Sequence, residues 1–351
     1  YEVAAAREAD LNRFYSATAR LINCKEGEIA FVDSATRGWC LAFYSIPLKK
    51  GDRIITGAAD YGSNFVAYLQ ARDRHGAELV VVPDDASGQI DLDALRVQAA
   101  HPRAKVISIS HIPTGGGLVN PAAEVGQIAK EFGLAYILDA CQSIGQMPVD
   151  VHEIGCDVCT ATGRKYLRGP RGTGFVYVRD SFLKTLDPVM LDQAGATLLS
   201  ESSFRPRQDA KVFEMWETYY AGKVALGDAI EYALEIGLVQ IHARIQLLSV
   251  ALRTRLSEIP GVLVTDVGRE LCGIVTFTLQ GHAAPEVKAA LAKKNIFISV
   301  SAASGGGSRV WFDRRGLEAV VRVSPHYYNT IEEVTECAAA VASLAAPRSR
   351  L

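Results

Sequence analysis

Between residues 28 and 180, short apolar runs alternate with longer stretches whose apolar residues recur every three or four positions. The runs at 28–32, 53–56, 78–82, 105–110, 135–139, 158–160 and 174–178 are brief and rich in β-branched residues. Runs of that length and composition predict strands, and their near-continuous hydrophobicity predicts burial on both faces. The stretches 64–74, 91–100 and 121–132 between them carry the helical period. Strands alternating with helices predict an α/β fold with a mostly parallel, helix-covered sheet.

The second half is patterned differently. Ile230, Leu234, Ile236, Leu238, Ile241, Ile245 and Leu248 keep helical spacing through 223–259, predicting one long helix that Pro260-Gly261 stops. Short strands at 262–264, 273–279, 297–300 and 319–324 follow, with a helix at 285–294 and a last one from Thr330. This order predicts a small α+β C-terminal domain, 236–351, behind a large α/β domain, 1–235. Ser304-Gly305-Gly306-Gly307-Ser308 interrupts it as a flexible loop. Tyr1 falls inside a helical pattern and no initiator Met precedes it, so an upstream segment is expected.

Composition narrows the function. A net charge of -2 over 351 residues gives no reason to expect nucleic acid or an acidic membrane surface as partner. No apolar run approaches the ~18–20 residues of a membrane span, and no signal peptide is visible. Seven scattered cysteines predict reduced thiols in a cytoplasmic protein rather than a disulfide framework. Cys156 and Cys159 have redox or zinc spacing, but no second Cys or His pair accompanies them. Buried strand thiols are expected there, and no metal.

Two strand ends carry reactive residues. Tyr136-Ile137-Leu138-Asp139 ends a hydrophobic run on a carboxylate, at the edge where open α/β sheets bind ligands. Alone, such an Asp suits a metal, a nucleotide or a helix cap. Lys165 follows the next run, inside a basic cluster that continues through Arg168 and Arg171. A Lys in a basic loop is ordinarily just solvated. Beside Arg164 in a partly desolvated site, its pKa falls and the amine becomes a nucleophile. Ser34-Ala35-Thr36 lies between a strand and a helix, where amide N–H groups and a hydroxyl can bind phosphate. Pyridoxal phosphate requires such a set: a Lys for the Schiff base, a carboxylate to keep the pyridine nitrogen protonated, phosphate donors and an aromatic ring over the cofactor.

With these residues the sequence resembles the class V aminotransferase and cysteine desulfurase group of fold-type I pyridoxal-phosphate enzymes, over nearly its whole length. Leu138-Asp139-Ala140-Cys141-Gln142-Ser143 resembles the family's Asp-x-x-Gln segment. That implies Asp139 on the pyridine nitrogen and Gln142 on the phenolic oxygen. Thr162-Gly163-Arg164-Lys165, followed by Gly169-Pro170-Arg171-Gly172-Thr173-Gly174, resembles the Ser-x-His-Lys…Gly-Pro-x-Gly-x-Gly signature. Lys165 then carries the cofactor, while Thr162 and Arg164 hold its phosphate, Arg164 standing where the family has His. Ser34-Ala35-Thr36 resembles the Gly-Thr-Thr turn, where Ala35 offers only its backbone.

The resemblance extends to other segments. Asp60-Tyr61 falls at the family's Glu-His, implying that Tyr61 stacks on the cofactor. Thr114, before Gly115-Gly116-Gly117, takes the place of an Asn near the cofactor. The stretch from Phe213 to Thr218 resembles one that reaches a neighbouring subunit's phosphate site, which implies a homodimer with shared active sites and a cofactor-binding role for Thr218. Arg322 opens a segment resembling the family's Arg-x-Ser…Tyr-Asn-Thr ending, with Tyr328 inside it. There an Arg grips the carboxylate of an amino-acid substrate with a bidentate fork.

The family performs several reactions, so the site must decide. Its desulfurases carry a nucleophilic Cys on a small-domain loop, about fifteen residues before the carboxylate Arg. Here that loop reads Ser301-Ala302-Ala303-Ser304-Gly305-Gly306-Gly307-Ser308-Arg309, and no Cys occurs between Cys272 and Cys337. Persulfide chemistry needs a mobile, exposed thiolate, and Cys141 is expected to be buried in a strand. Desulfuration is therefore disfavoured. The motifs around Tyr61, Lys165 and Arg322 look more like C–S lyase members such as hercynylcysteine sulfoxide lyases. Class V transamination is the alternative. Epimerisation of the isopenicillin N type comes third, because it needs a second acid, Tyr61 or Tyr328. Retention of Lys165, Asp139 and Arg322 together argues against a regulator or scaffold without activity. The segment from Gly305 to Trp311 is expected to help choose the substrate side chain.

Overall fold

A computed structural model describes residues 2–304 and 309–345. The glycine-rich loop at 305–308 lies outside the described residues. Seven strands form the central sheet: β1 (Ile29–Val32), β2 (Arg53–Gly57), β3 (Glu78–Val82), β4 (Ala104–Ser110), β5 (Ala135–Asp139), β6 (Val158–Thr162) and β7 (Gly174–Val178). Their order is β1-β7-β6-β5-β4-β2-β3. β3, β2, β4, β5 and β6 pair in parallel, and β7 pairs antiparallel with both β6 and β1. Two antiparallel steps restore the direction, so only β7 runs against the rest.

The continuous apolar runs have a simple cause. Successive strand residues point to opposite faces, and here both faces are cores. Phe31, Ile107, Tyr136, Leu138 and Phe175 pack into one cluster; Ala30, Val106, Ile137 and Val176 pack into the other. The second cluster is sealed by Trp39, Phe43 and Tyr68 from the helices Ala35–Tyr44 and Gly62–His75. Truncating one of these buried aliphatic side chains to Ala would cost about 2–5 kcal/mol.

The long helix expected over 223–259 is two helices, Tyr220–Ile236 and Leu238–Ser257. Gly237 lies between them at φ 93°, a conformation that side-chain-bearing residues avoid. The apolar period runs on across the break because Ile230, Ile241 and Ile245 all enter the same core. Periodicity alone could not reveal the bend. Leu248, Leu252 and Leu256 continue into a separate cluster under the second sheet. That sheet comprises β10 (Val262–Val264), β11 (Val275–Leu279), β12 (Ser299–Ala302) and β13 (Ala319–Val323), all antiparallel in the order β10-β11-β13-β12. The helix Ile331–Ala345 packs under it and starts at a capping box: Thr330 Oγ1 accepts from Glu333 N, and Glu333 Oε2 accepts from Thr330 N. A hairpin of β8 (Ala196–Ser200) and β9 (Ser203–Pro206) stands apart from both sheets. Among the described residues, no helix is long and apolar enough to cross a membrane.

Candidate active site

The C-terminal ends of β1, β2, β4, β5 and β6 converge on a cavity of about 150 Å³. Ala35, Thr36, Tyr61, Thr114, Asp139, Gln142, Thr162, Arg164 and Lys165, all singled out from sequence, line it. A wider cleft of about 700 Å³ opens elsewhere, beside Lys105, Ala135 and Asp157, and contains neither Lys165 nor Asp139. The chemistry is concentrated in the smaller one.

The helix Ala35–Tyr44 begins at the cavity wall. Its N-cap Ser34 accepts a hydrogen bond from Arg37 N at 3.2 Å, leaving Ala35 and Thr36 in the first turn beside the cavity. A helix N-terminus presents free N–H groups and the positive end of the dipole, which suits a phosphate. Arg164 adds an exposed guanidinium with no ion pair among the described residues. Thr162 contributes less than expected. Its hydroxyl donates to Thr173 O at 3.2 Å and must leave that carbonyl before it can donate to a phosphate.

Lys165 sits in a turn closed by Arg168 N to Lys165 O at 2.9 Å and Gly169 N to Gly163 O at 2.7 Å. Arg168 takes the left-handed conformation, φ 62°, to close it. Gly145 lets the loop after β5 approach the turn: a Cβ there would lie 2.6 Å from Tyr166 C and Leu167 N. Burial lowers the Lys165 pKa; Cys141 and Asp139 oppose the shift, and Arg322 and Arg164 reinforce it. The amine is thereby made more available as a nucleophile and base.

Asp139, at the end of β5, is buried. Its Oδ1 accepts from Cys141 N at 3.0 Å and its Oδ2 from Asn64 Nδ2 at 3.3 Å. Cys141 was expected to lie buried within a strand. It sits instead in the loop beyond β5, half-buried and lining the cavity. Burial, with Asp139 adding, raises its pKa, so the thiol stays protonated.

Thr114 joins the two sheets. Its Oγ1 accepts from Gln142 Nε2 at 3.1 Å and from Arg322 Nη1 at 2.8 Å, and its carbonyl accepts from Arg322 Nη1 and Ser301 Oγ, each at 3.1 Å. Gly115 and Gly116 are required beside it because a Cβ would meet the Trp311 ring at 2.8 and 2.7 Å. Arg322 stands behind Thr114 rather than on the cavity wall and forms no ion pair with a carboxylate among the described residues. Tyr328 is exposed and stacked on His326 at 4.6 Å, away from the cavity. Thr218 also lies outside the cavity, half-buried just before the helix Tyr220–Ile236.

Three residues had no role assigned from sequence. Asp60 and Asn64 sit behind Tyr61, and their spacing with Tyr68 (i, i+4, i+8) was the available signal. His326 is the third. Its Nδ1 accepts from Tyr327 N at 2.9 Å, which leaves Nε2–H to donate to Tyr166 O at 3.1 Å, one residue from Lys165.

A mostly parallel seven-stranded sheet, with Lys and Asp beyond adjoining strands and a helix N-terminus lining the same cavity, is the architecture of fold-type I pyridoxal-phosphate enzymes. The family model for class-V aminotransferases matches residues 3–336, and the chain belongs to that family. A probable cysteine desulfurase of Methanothermobacter thermautotrophicus is 29% identical over 90% of this chain and 79% of its own length. The apo structure of a cysteine desulfurase from Thermococcus onnurineus superposes with a TM-score of 0.92 at 24% identity, covering 98% of this chain and 86% of that one. A cystine C–S lyase, solved in complex with its reaction product cysteine persulfide, superposes at 0.86 with 20% identity, covering 97% and 89%. The chain is a pyridoxal-phosphate-dependent enzyme, and the donor set around the cavity fits that cofactor.

Proposed function

We propose that this enzyme cleaves the carbon–sulfur bond of an S-substituted cysteine by β-elimination. The observation that carries the reading is the combination of a cofactor cavity with the absence of any Cys between Cys272 and Cys337. The relatives' names point to cysteine as substrate class. A desulfurase, however, must deliver a thiolate to the sulfur. Burial pushes Cys272 up to about 12 and Cys337 up to about 11, and keeps Cys141 protonated. Without an attacking thiolate, sulfur leaves with its own substituent.

Pyridoxal phosphate, when bound, supplies an electron sink for the charge that develops at the substrate Cα. Lys165 would hold it through its amine, with Asp139 serving the pyridine nitrogen and Gln142 the phenolic oxygen. The amides of Ala35 and Thr36 would hold the phosphate together with Arg164, and Tyr61 would cover the ring. Arg322 takes the substrate carboxylate and must release Thr114 to do so. Lys165 Nζ, beside the cavity, would take the Cα proton of the substrate. The Cβ–S bond breaks and its electron pair leaves with sulfur as a thiolate. The released three-carbon enamine hydrolyses to pyruvate and ammonia.

The reading extends to assembly. Leu198, Leu199 and Phe204 on the isolated hairpin, with Trp216 and Tyr219, are large exposed apolar groups. They support a homodimer in which Thr218 serves the neighbouring cavity. The bend at Gly237 supports a large domain, 1–235, and a small one, 236–351.

The test compares cystine and S-alkylcysteines with alanine and aspartate, measuring pyruvate and conversion of the cofactor to pyridoxamine phosphate. Pyruvate from the sulfur substrates is expected. Keto acid from alanine or aspartate, with no turnover of S-substituted cysteines, would mean transamination and sink the proposal.

A further inference from the structure

Behind the cavity, two buried carboxylates face one amide. Asp60 is 2% exposed and accepts five hydrogen bonds: from Tyr61 N at 2.7 Å, Ser110 Oγ at 2.7 Å, Asn64 Nδ2 at 3.1 Å, Thr56 Oγ1 at 3.0 Å and Tyr68 OH at 2.6 Å. Two of the five, the Tyr61 N–H and the Asn64 amide, can only donate, and both meet Asp60 Oδ1. Burial pushes its pKa up, and Asp139 adds to that, while Tyr68, Ser110 and Asn64 pull it back toward the anion. Asn64 is itself buried, and its Nδ2 also reaches Asp139 Oδ2 at 3.3 Å.

An amide nitrogen carries two hydrogens. Asn64 gives one to each carboxylate. The flipped amide would aim its oxygen at the oxygens of two carboxylates, so the environment favours this orientation. Asn64 and Tyr68, one turn apart in the helix Gly62–His75, both reach Asp60, which stands just before the N-cap Tyr61.

We propose that Asn64, oriented by Asp60, is the positioning residue for Asp139: by donating to Oδ2 it sets the plane in which that carboxylate would face the cofactor's pyridine nitrogen. A hydrogen bond to the charged form favours that form. An amide is the group that can serve two buried anions at once without adding charge. This inference rests on the cofactor placement proposed above.

The test uses the apo-protein reconstituted with pyridoxal phosphate, reading the dissociation constant and the pH titration of the visible absorption band. Asn64→Ser is the informative variant, because one hydroxyl proton can satisfy Asp60 or Asp139 but not both. It is expected to weaken cofactor affinity about tenfold, the scale of a hydrogen bond to a charged group, and to displace the titration midpoint. Asn64→Ala is expected to do the same with a larger loss of thermal stability. Tyr136→Phe, which removes a buried hydroxyl bonded to Ala122 O from the strand that ends in Asp139, serves as the stability control. It is expected to lower the melting temperature while leaving affinity and titration unchanged. Asn64→Ser with wild-type affinity and midpoint overturns the inference. A Tyr136→Phe variant that matches Asn64→Ser in both readouts overturns it too, because the effect is then general destabilisation. Wild type that takes up no pyridoxal phosphate overturns the cofactor placement itself, a distinct result.

Discussion

At the C-terminal edge of the seven-stranded sheet, the polar groups behind the cavity are held in place by the fold. The residue sent in from the four-stranded sheet is parked. Asp139 has a protein donor on each oxygen, and Asn64 behind it is fixed by Asp60. Arg322, in contrast, rests on neutral Thr114 and Ser324, with no carboxylate paired to it among the described residues. The first arrangement costs nothing to reorganise when a cofactor arrives. The second exchanges Thr114 for a charged partner, which is the stronger hydrogen bond. On the function proposed above, one edge would keep a resident group and the other would take a visitor.

Replacing Lys165 tests the resident side most severely. Lys165→Ala should abolish the visible absorption band and lower elimination by at least ~10³-fold, the range for losing a positioned acid–base group. A variant that keeps the band would show that the lysine is misassigned. Arg322→Ala tests the visitor side. It should raise KM for amino-acid substrates about 30-fold, with cofactor affinity within about twofold of wild type. A tenfold loss of cofactor affinity in that variant would erase the distinction between the two edges.

His326 tests how firmly the two sheets are joined. Burial lowers its pKa to about 4, so the folded chain keeps it neutral below the ordinary value of 6.5. Between pH 6.5 and 4 the unfolded chain therefore binds the extra proton, and stability falls as pH falls through that window. The loss is on the order of 3 kcal/mol. His326→Asn should flatten the pH dependence measured by denaturant unfolding; an unchanged slope would place the titration elsewhere, with His111, also lowered to about 4 by burial, the next group to replace. The smallest effect is expected at Cys141. Cys141→Ala keeps the backbone N–H that Asp139 accepts and should retain elimination activity within about threefold. Loss of activity would restore a thiol to the mechanism.

Strand positions and the reactive strand ends were legible because burial on both faces writes itself into short, uninterrupted apolar runs. Lys165 and Asp139 stand where those runs stop. What stayed hidden depended on distance or on a shared pattern. Arg322 and Thr114 are 208 positions apart, and nothing local marks their contact. Asp60, Asn64 and Tyr68 have the spacing of any polar helix face, and only the fold shows that this face is buried. The bend at Gly237 was masked because helices on both sides of it feed one core. Cys141 looked buried because the run before it is apolar, yet the strand ends at Asp139.

β5 carries a further consequence, for how this enzyme can diverge. Ile137 and Leu138 belong to opposite cores, and Asp139 follows them directly. Inserting or deleting one residue upstream within the strand would exchange the two faces and turn the carboxylate away from the cavity. Length changes there are closed to descendants of this sequence. New substrates must come through substitutions at the rim or through the loops beyond the strand ends, where insertions leave both cores intact.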